Sequence, residues 1–489
     1  MAVFLKEKIS WSVHDTYSLH NKIISDFLRL SRVKQTSHRG AHDAIIYYKN
    51  HPRVFLDFKT DSEGIPNPLD TLLNLRNPVR HINYSSLIAG LYGVLASFSR
   101  LSENKATNIE ISLNQCHALA QILPNAFFYK ASLEALPFAF HPLMNIYQTK
   151  TSYIYTHLIV TKQFQNFVKA FRLSSYYRLK SIPWHRLLKD PSDLIKPSTK
   201  RQLQSFLSDF FISEPASYWH EKAREHDFIV EPINICQPVA DLSYALDLIE
   251  PPKELSRVGR SHLKILDLSQ VLAGPLCSLF LRQMGASVFK IDLHYAKVQR
   301  FHRLLEQLLR HDKIPRRRLD LFDELDQKKL IAILKSFQPN IVVHNFRESA
   351  LEKIKNLSAW SVLEKKPQWA GITSYTDKSI AGFEQSVQAS SGLMDQSREK
   401  PELLPIAIHD ILSGLALAVK IQLNSHDTNN DIEFSLRNSS ELIKCALRLH
   451  EINHPKSKLK GSWSLSKDHR GLILPKSAVK IDGKALSLL

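Results

Sequence analysis

His450 and His454 in "HEINH" stand four residues apart with a glutamate between them. On one helical turn that spacing lets two imidazoles bind zinc while the carboxylate acts as a base. Pro455 follows at once and disfavours helical geometry at His454, no glutamate follows Glu451 as a third ligand, and "HPKSKLKG" lacks the HxxGxxH extension. The stretch is therefore a helix end whose histidines favour its negative pole, and no metal is expected. Cys116, Cys236, Cys277 and Cys445 are far apart and form no CxxC. That usage fits small core residues in a reducing compartment and speaks against structural zinc. A different chemistry is offered by "ILDLSQVLAGPLCSLFLRQMGASVFKID", Ile265 to Asp292. Its Gly274-Pro275 turn opens a helix whose unpaired N–H groups can face an anion. One glycine in that turn does not meet the several-glycine dinucleotide fingerprint, and a nicotinamide role with Asp292 as the ribose acid is disfavoured.

The elements that position this turn follow from apolar spacing. Lys264 to Leu268 is a short strand, Pro275 at a first helical position begins a helix to Met284, Gly285 closes it, and Val288 to Ile291 is a second strand. Beyond it, "ELDQKKLIAILKSF" is an amphipathic helix, "NIVVHNF" a buried strand, "SALEKIKNLSAWSVLE" helical and "QWAGITSY" another strand. Strands alternating with helices predict a doubly wound, mostly parallel sheet with ligands beyond the carboxyl ends of its strands. Those ends carry Asp292, Asn345 to Arg347, and Tyr375.

Seven of the 14 glycines lie between Gly259 and Gly414 and none lies between Gly93 and Gly259, so the two regions build their turns differently. "EPPKELSRVGRSH" has linker composition between them. A chain of 489 residues with 44% hydrophobic content is long enough for two or three domains. No run approaches the roughly 18 apolar residues of a membrane span, and "MAVFLKEKISW" lacks a signal-peptide core, so a soluble cytoplasmic protein without membrane partners is expected. The net charge of +18 is spread along the chain; its densest group, "RHDKIPRRRLD" from Arg310 to Asp320, reads as a solvated loop. Nucleic acid is not an expected partner, because phosphate-backbone binding needs clustered cations.

Two segments resemble each other. Ile82 to Ile122 and Ile408 to Leu447 each read as a helix, a polar turn, an Ile-Glu-x-Ser-Leu segment and another helix, with Gly90 matching Gly414 and Leu113 matching Leu436. The chain is therefore expected to contain part of its core twice.

Taken together, the segment Ile265 to Asp292, "LDL" (Leu319 to Leu321), "VVHNFRESALEKI" (Val342 to Ile354) and "ITSYTDKSIAGFEQSVQASSGLM" (Ile372 to Met394) resemble the class III CoA-transferase family, which includes formyl-CoA transferase, carnitine CoA-transferase and alpha-methylacyl-CoA racemase. "WHEKAREHDFIVEPI" (Trp219 to Ile233) is similar to the end of the family's small domain. The resemblance implies an α/β protein with a Rossmann-like CoA-binding core, a smaller α+β domain and a degenerate N-terminal partial repeat. The expected division is 1–125 for the repeat, 126–250 for the small domain, 251–262 for the linker, 263–450 for the CoA-binding core and 451–489 for a basic tail.

The family's catalytic aspartate follows an apolar strand, and here "LLPIAIHD" places Asp410 there. A carboxylate can attack an acyl-CoA thioester, form a mixed anhydride and then carry CoA as an aspartyl thioester until an acceptor acid takes over. By position alone Asp410 reads as an N-cap between strand and helix. His409, its neighbour on that strand, points to the opposite face and is read as structural. Asp410 maps to Ser86 in the first copy, with Asn83 nearby; neither is a carboxylate, so one active site per chain is expected. For CoA or acyl-CoA as substrate, the resemblance implies contacts from Val271, Leu272, Leu319, Asn345, Phe346, Arg347, Lys353, Gly382 and Glu384, with Arg347 and Lys353 suited to phosphates. Phe383 stands where the racemase branch has a proton-transfer histidine, which favours CoA transfer over racemisation. A CoA-binding protein without turnover is the other alternative. The resemblance also implies a homodimer, and the small domain has no glycine for the family's glycine-rich loop.

Overall fold

The computed structural model describes residues 9–13, 34–35, 44–48, 51–59, 84–100, 106–112, 116, 119–120, 141–173, 182, 184–191, 197–236, 242–249, 263–293, 314–394, 401–404, 406–424, 430–453, 465–467, 473–475, 479–481 and 484–485. The expected linker 251–262 lies outside the described residues, as do Asn83, Leu113 and His454. No described helix is long and apolar enough to cross a membrane.

The first strands are β1 (Ile9–Val13), β2 (Lys34–Gln35), β3 (Ala44–Tyr48), β4 (His51–Lys59) and β5 (Thr107–Ser112). Helix α1 (Tyr84–Arg100) is buried along almost its whole length, as its alanine-, leucine- and glycine-rich composition requires. A second unit holds β6 (Ile146–Gln148), β7 (Tyr153–Thr156) and β8 (Val230–Pro232) in one antiparallel sheet. Helices α2 (Thr161–Ala170), α3 (Pro197–Phe211) and α4 (Ala216–Glu225) belong with it. Its core is aromatic: Phe167, Phe171, Phe210, Phe211, Trp219 and Phe228 meet largely edge to face. The stretch Trp219 to Ile233 continues α4 and then forms β8.

The third unit is the doubly wound sheet. Its strands are β9 (Lys264–Asp267), β10 (Ser287–Leu293), β11 (Arg316–Leu319), β12 (Ile341–His344), β13 (Gln368–Thr373) and β14 (Ile432–Ser435), ordered β11-β10-β9-β12-β13-β14 and parallel throughout. Its helices are α5 (Ala273–Gln283), α6 (Glu324–Phe337), α7 (Glu348–Lys355), α8 (Glu384–Ser391), α9 (Ile408–Asn424) and α10 (Leu436–Asn453). Side chains alternate between two cores: Ile265, Ile341, Val343, Ala370 and Ile372 face the one shared with α5 and α9, whereas Leu266, Val342 and Trp369 face Leu330 and Leu334 of α6 and Leu351 and Ile354 of α7. Burial on both faces explains why these strands read as unbroken apolar runs.

Three sequence expectations are corrected. Pro275 is the third residue of α5, behind Ala273 and Gly274; a proline is tolerated there because the first four N–H groups of a helix have no intrahelical partner. Arg316–Leu319 is the edge strand β11, where its cations meet solvent and blunt the exposed edge, and is no loop. Among the described residues of "LLPIAIHD" none is in a strand: residues 401–404 are irregular and Ile408 already begins α9.

Beyond α10, β15 (Leu465–Lys467) pairs with β16 (Ile473–Pro475), and β17 (Val479–Ile481) pairs with both β18 (Lys484–Ala485) and β5. The N-terminal sheet thus runs β18-β17-β5-β4-β3-β1-β2, and part of the basic tail is built into it. α1 packs on α9, and Tyr92 of α1 donates to Gln283 Oε1 of α5 at 2.6 Å while its ring meets Phe280 edge-on.

Candidate active site

The chain leaves β9 toward β10 and β11 on one side and returns to β12, β13 and β14 on the other, so the strand order reverses between β9 and β12. Such a switch point opens a crevice at the carboxyl ends of the two strands. The side chain of Asn345, just past β12, closes the bottom of that crevice: its Oδ1 accepts from the Gln270 N–H at 2.9 Å and its Nδ2 donates to the Gln270 carbonyl at 2.8 Å. These two bonds hold the β9–α5 loop as a neighbouring strand would. In that loop Val271 is left-handed, with φ +69, a costly conformation for a β-branched residue that marks a constrained turn. A Cβ on Gly274 would lie 2.3 Å from that of Ser269, so the loop closes this tightly only with glycine there.

The second part of the site is built where α8 and α9 begin. Phe383 precedes α8 with extended backbone, and its N–H donates to Ser386 Oγ at 2.7 Å, which sets Glu384 in the first turn. Glu384 is buried, with both oxygens bonded: Oε1 lies 2.6 Å from His409 Nδ1 and accepts from Gln388 Nε2 at 2.9 Å, while Oε2 accepts from the Asp410 N–H at 2.9 Å. His409 Nε2 is 3.1 Å from Ser440 Oγ of α10. His409 and Asp410 both sit in the first turn of α9, and Asp410 is a third helical residue instead of an N-cap. Asp410 is half-buried. Burial, and then the adjacent Glu384 carboxylate, push its pKa well above the ordinary aspartate value. Burial and the same carboxylate raise the phenol of Tyr84, which the N-terminal helix α1 supplies.

The crevice is a cavity of about 320 Å³, at the lower end of the roughly 300–1,000 Å³ usual for ligand pockets. Eight residues named from sequence line it: Val271, Leu272, Asn345, Phe346, Arg347, Gly382, Glu384 and Asp410. Two do not. Leu319 is buried in the core beneath α6 and α7, and Lys353 is exposed on α7. Asp292 and Tyr375 stand at strand ends but outside the wall; Asp292 pairs with Arg316 at 3.6 Å. Sequence reasoning missed His157, Gln163, Gln270 and Lys378, which also line the cavity. His157 and Gln163 come from the small domain, and only tertiary packing brings them to Asp410; a lone histidine in "YIYTHLIV" gives no local sign of it. The His157 ring stacks on Phe383 at 4.2 Å between centroids and 18° between planes, and its Nδ1 is 3.2 Å from the Tyr155 hydroxyl.

Two cations border the cavity. Arg347 pairs with Asp227 at 2.7 Å and Lys378 with Glu433 at 2.5 Å. Burial opposes ionisation of Asp227, but Arg347 and Lys162 outweigh it and hold its pKa below the ordinary value. Arg347 is 37% exposed in its side chain, so the pair is a weak surface one and the guanidinium can turn to another anion. Among the described residues no group of His, Cys, Asp and Glu has the arrangement of a metal site.

Residues 261–431 match the family model described as CoA-transferase family III. The curated succinyl-CoA:mesaconate CoA-transferase of Haloarcula hispanica is 24% identical over 200 residues, which cover 34% of this chain and 47% of that protein. The chain thus spans about half the length of this relative. Among solved structures, a hypothetical protein of Mycobacterium tuberculosis is similar at 20% identity and TM-score 0.32 over 39% of this chain and 58% of that one. A CAIB/BAIF family protein from Brucella suis is similar at 17% identity and TM-score 0.28 over 37% and 53%. The similarity to the class III CoA-transferase family thus lies in residues 261–431.

Proposed function

We propose that this protein transfers CoA between an acyl-CoA and a carboxylic acid, with Asp410 as the group that carries CoA. The carrying observation is that Asp410 opens on the cavity formed at the switch point, with its N–H fixed by Glu384. Raised pKa makes the ionised Asp410 a stronger nucleophile than an ordinary aspartate. Attack on the thioester carbonyl expels CoA thiolate and leaves a mixed anhydride between Asp410 and the donor acyl group. The thiolate then attacks the Asp410 carbonyl, releasing the donor as its carboxylate and leaving an aspartyl-CoA thioester. An acceptor carboxylate repeats the sequence in reverse and departs as the new acyl-CoA. Gln270 to Ala273 supply the wall nearest the expected CoA chain, and Arg347 and Lys378 the cations for its phosphates.

The same reading includes an acyl-CoA donor, an acceptor acid, a homodimer and a duplicated N-terminal unit. The duplication is supported by the equal length of α1 and α9, 17 residues each, and by the burial of one against the other. A second reading, racemisation, is favoured by His157: an imidazole lines the cavity against Phe383, where the racemase branch places its own. Mass spectrometry of protein incubated with a panel of acyl-CoAs and trapped with hydroxylamine or borohydride separates them. A modification on Asp410, lost in Asp410→Ala together with about 10³-fold or more of turnover, is expected for transfer. Exchange of the substrate α-proton with deuterium and no trapped species would replace it with racemisation.

A further inference from the structure

Along α8 the polar side chains are bonded within the protein, with one exception. Glu384 is held by His409, Gln388 and the Asp410 N–H, and Ser386 by the Phe383 backbone. Gln388 also donates to the Leu404 and Ile406 carbonyls and accepts the Leu404 N–H, while Ser390 and Ser391 each donate to a carbonyl one turn back. The exception is Gln385, the second residue of the helix, which lines the cavity and is only 5% exposed. Neither atom of its amide has a hydrogen-bond partner among the described residues. Both atoms nevertheless keep accessible surface, and the cavity is the space onto which they open. Native structures leave few nearly buried amides with donor and acceptor both unmet, so a group from the cavity is the missing partner.

The place of Gln385 decides which part of a ligand reaches it. Glu384, the residue before it, accepts the Asp410 N–H at 2.9 Å, so Gln385 stands at the reacting end, whereas the wall expected to face CoA belongs to the β9–α5 loop. Resting on the CoA-transfer reading above, we infer that Gln385 is a specificity-determining residue whose amide hydrogen-bonds a hydroxyl on the acyl group held at Asp410. A hydroxyl suits an amide because each both donates and accepts. A carboxylate there could only accept, and it would stand near the carboxylates of Glu384 and Asp410, while the cations on the cavity, Arg347 and Lys378, are paired with Asp227 and Glu433. A plain alkyl chain would displace water from the amide and leave it unpaired, which is how such a site selects against an analogue without the hydroxyl.

Isothermal titration of the full chain with CoA, butyryl-CoA, 2-hydroxybutyryl-CoA and 3-hydroxybutyryl-CoA, beside the variant Gln385→Met, tests this. Methionine fills similar volume without the amide. The native protein is expected to bind one of the hydroxyacyl esters on the order of tenfold more tightly than butyryl-CoA, and the variant to lose that preference while binding CoA and butyryl-CoA no more weakly than before. A preference that survives in the variant overturns the inference. Equal weakening of all three acyl esters, with CoA itself unaffected, also overturns it and moves the amide to the thioester carbonyl. A native chain that binds none of the four ligands overturns the CoA reading itself, a separable result. If Gln385→Met does not fold, Gln385→Asn, which withdraws the amide by one methylene, reads the same ratio. Equal affinity of the native protein for the butyryl and both hydroxybutyryl esters overturns the inference with no variant at all.

Discussion

Glu384 governs Asp410 from a fixed position, because both its oxygens are held by His409, Gln388 and the Asp410 N–H. Its charge is still felt: it is the second cause, after burial, of the raised Asp410 pKa. Replacement by glutamine keeps an oxygen for the Asp410 N–H and removes the charge. Glu384→Gln is therefore expected to lower the Asp410 pKa, and the acid limb of the pH–kcat/KM profile should move to lower pH. The limb itself arises because only ionised Asp410 attacks, so activity rises as pH passes upward through its folded pKa. A less basic carboxylate is also a poorer nucleophile, and the plateau rate is expected to drop by roughly tenfold. A profile displaced upward, or one that keeps its acid limb and loses only stability, would refute this role.

At the scale of elements, what was legible in the sequence was what local chemistry decides. The helix Glu324–Phe337 was read to its last residue, because Asp323 caps it through the Leu325 and Asp326 N–H groups and its apolar positions recur at helical spacing. The strand ends at Asn345 to Arg347 were legible because a βαβ sheet places its ligand side there. "LLPIAIHD" failed because a short apolar run suits a strand or a buried helix start equally, and only the packing of α9 against α5 decides between them. That packing also explains Gly414: a Cβ there would lie 2.8 Å from the Ala273 carbonyl and 3.2 Å from the Cys277 N. Both are backbone atoms of α5, whose first residue lines the cavity. Gly414→Ala is expected to push the helices apart, costing about 1–3 kcal/mol in urea unfolding and weakening CoA binding as the Val271 loop shifts. A variant of unchanged stability would show that α5 and α9 approach less closely than this.

For the whole molecule, acid is the condition that tests the second and third units at once. His141 stands beside the small-domain sheet and accepts the Leu143 N–H on Nδ1 at 3.2 Å; His344 ends β12 and accepts the Phe346 N–H at 3.4 Å. Burial first, then Lys200, lowers His141 to about 4 against the opposing pull of Asp190 and a hydrogen bond with Pro191. Burial first, then Lys355 and Lys378, lowers His344 to about 3 against Asp431. In the unfolded chain both bind a proton near pH 6.5, so as pH falls below that value the unfolded state gains protons that the folded state refuses. Stability is lost across the window from about 6.5 to 4 for His141 and to 3 for His344. Between pH 6.5 and 5 the two together contribute about 3 kcal/mol of loss. Glu231 acts in the opposite sense, because burial raises its pKa despite His220 and Arg224, and the penalty for its charge is relieved as pH falls. The histidine contribution is separated from it by difference. In urea unfolding, His344→Gln should lose about 1.5 kcal/mol less than wild type between pH 6.5 and 5, since glutamine can accept the Phe346 N–H and takes up no proton. Parallel losses in the two proteins would mean that His344 is already charged in the fold, and that the core around Gly371, whose Cα lies against that ring, tolerates an imidazolium.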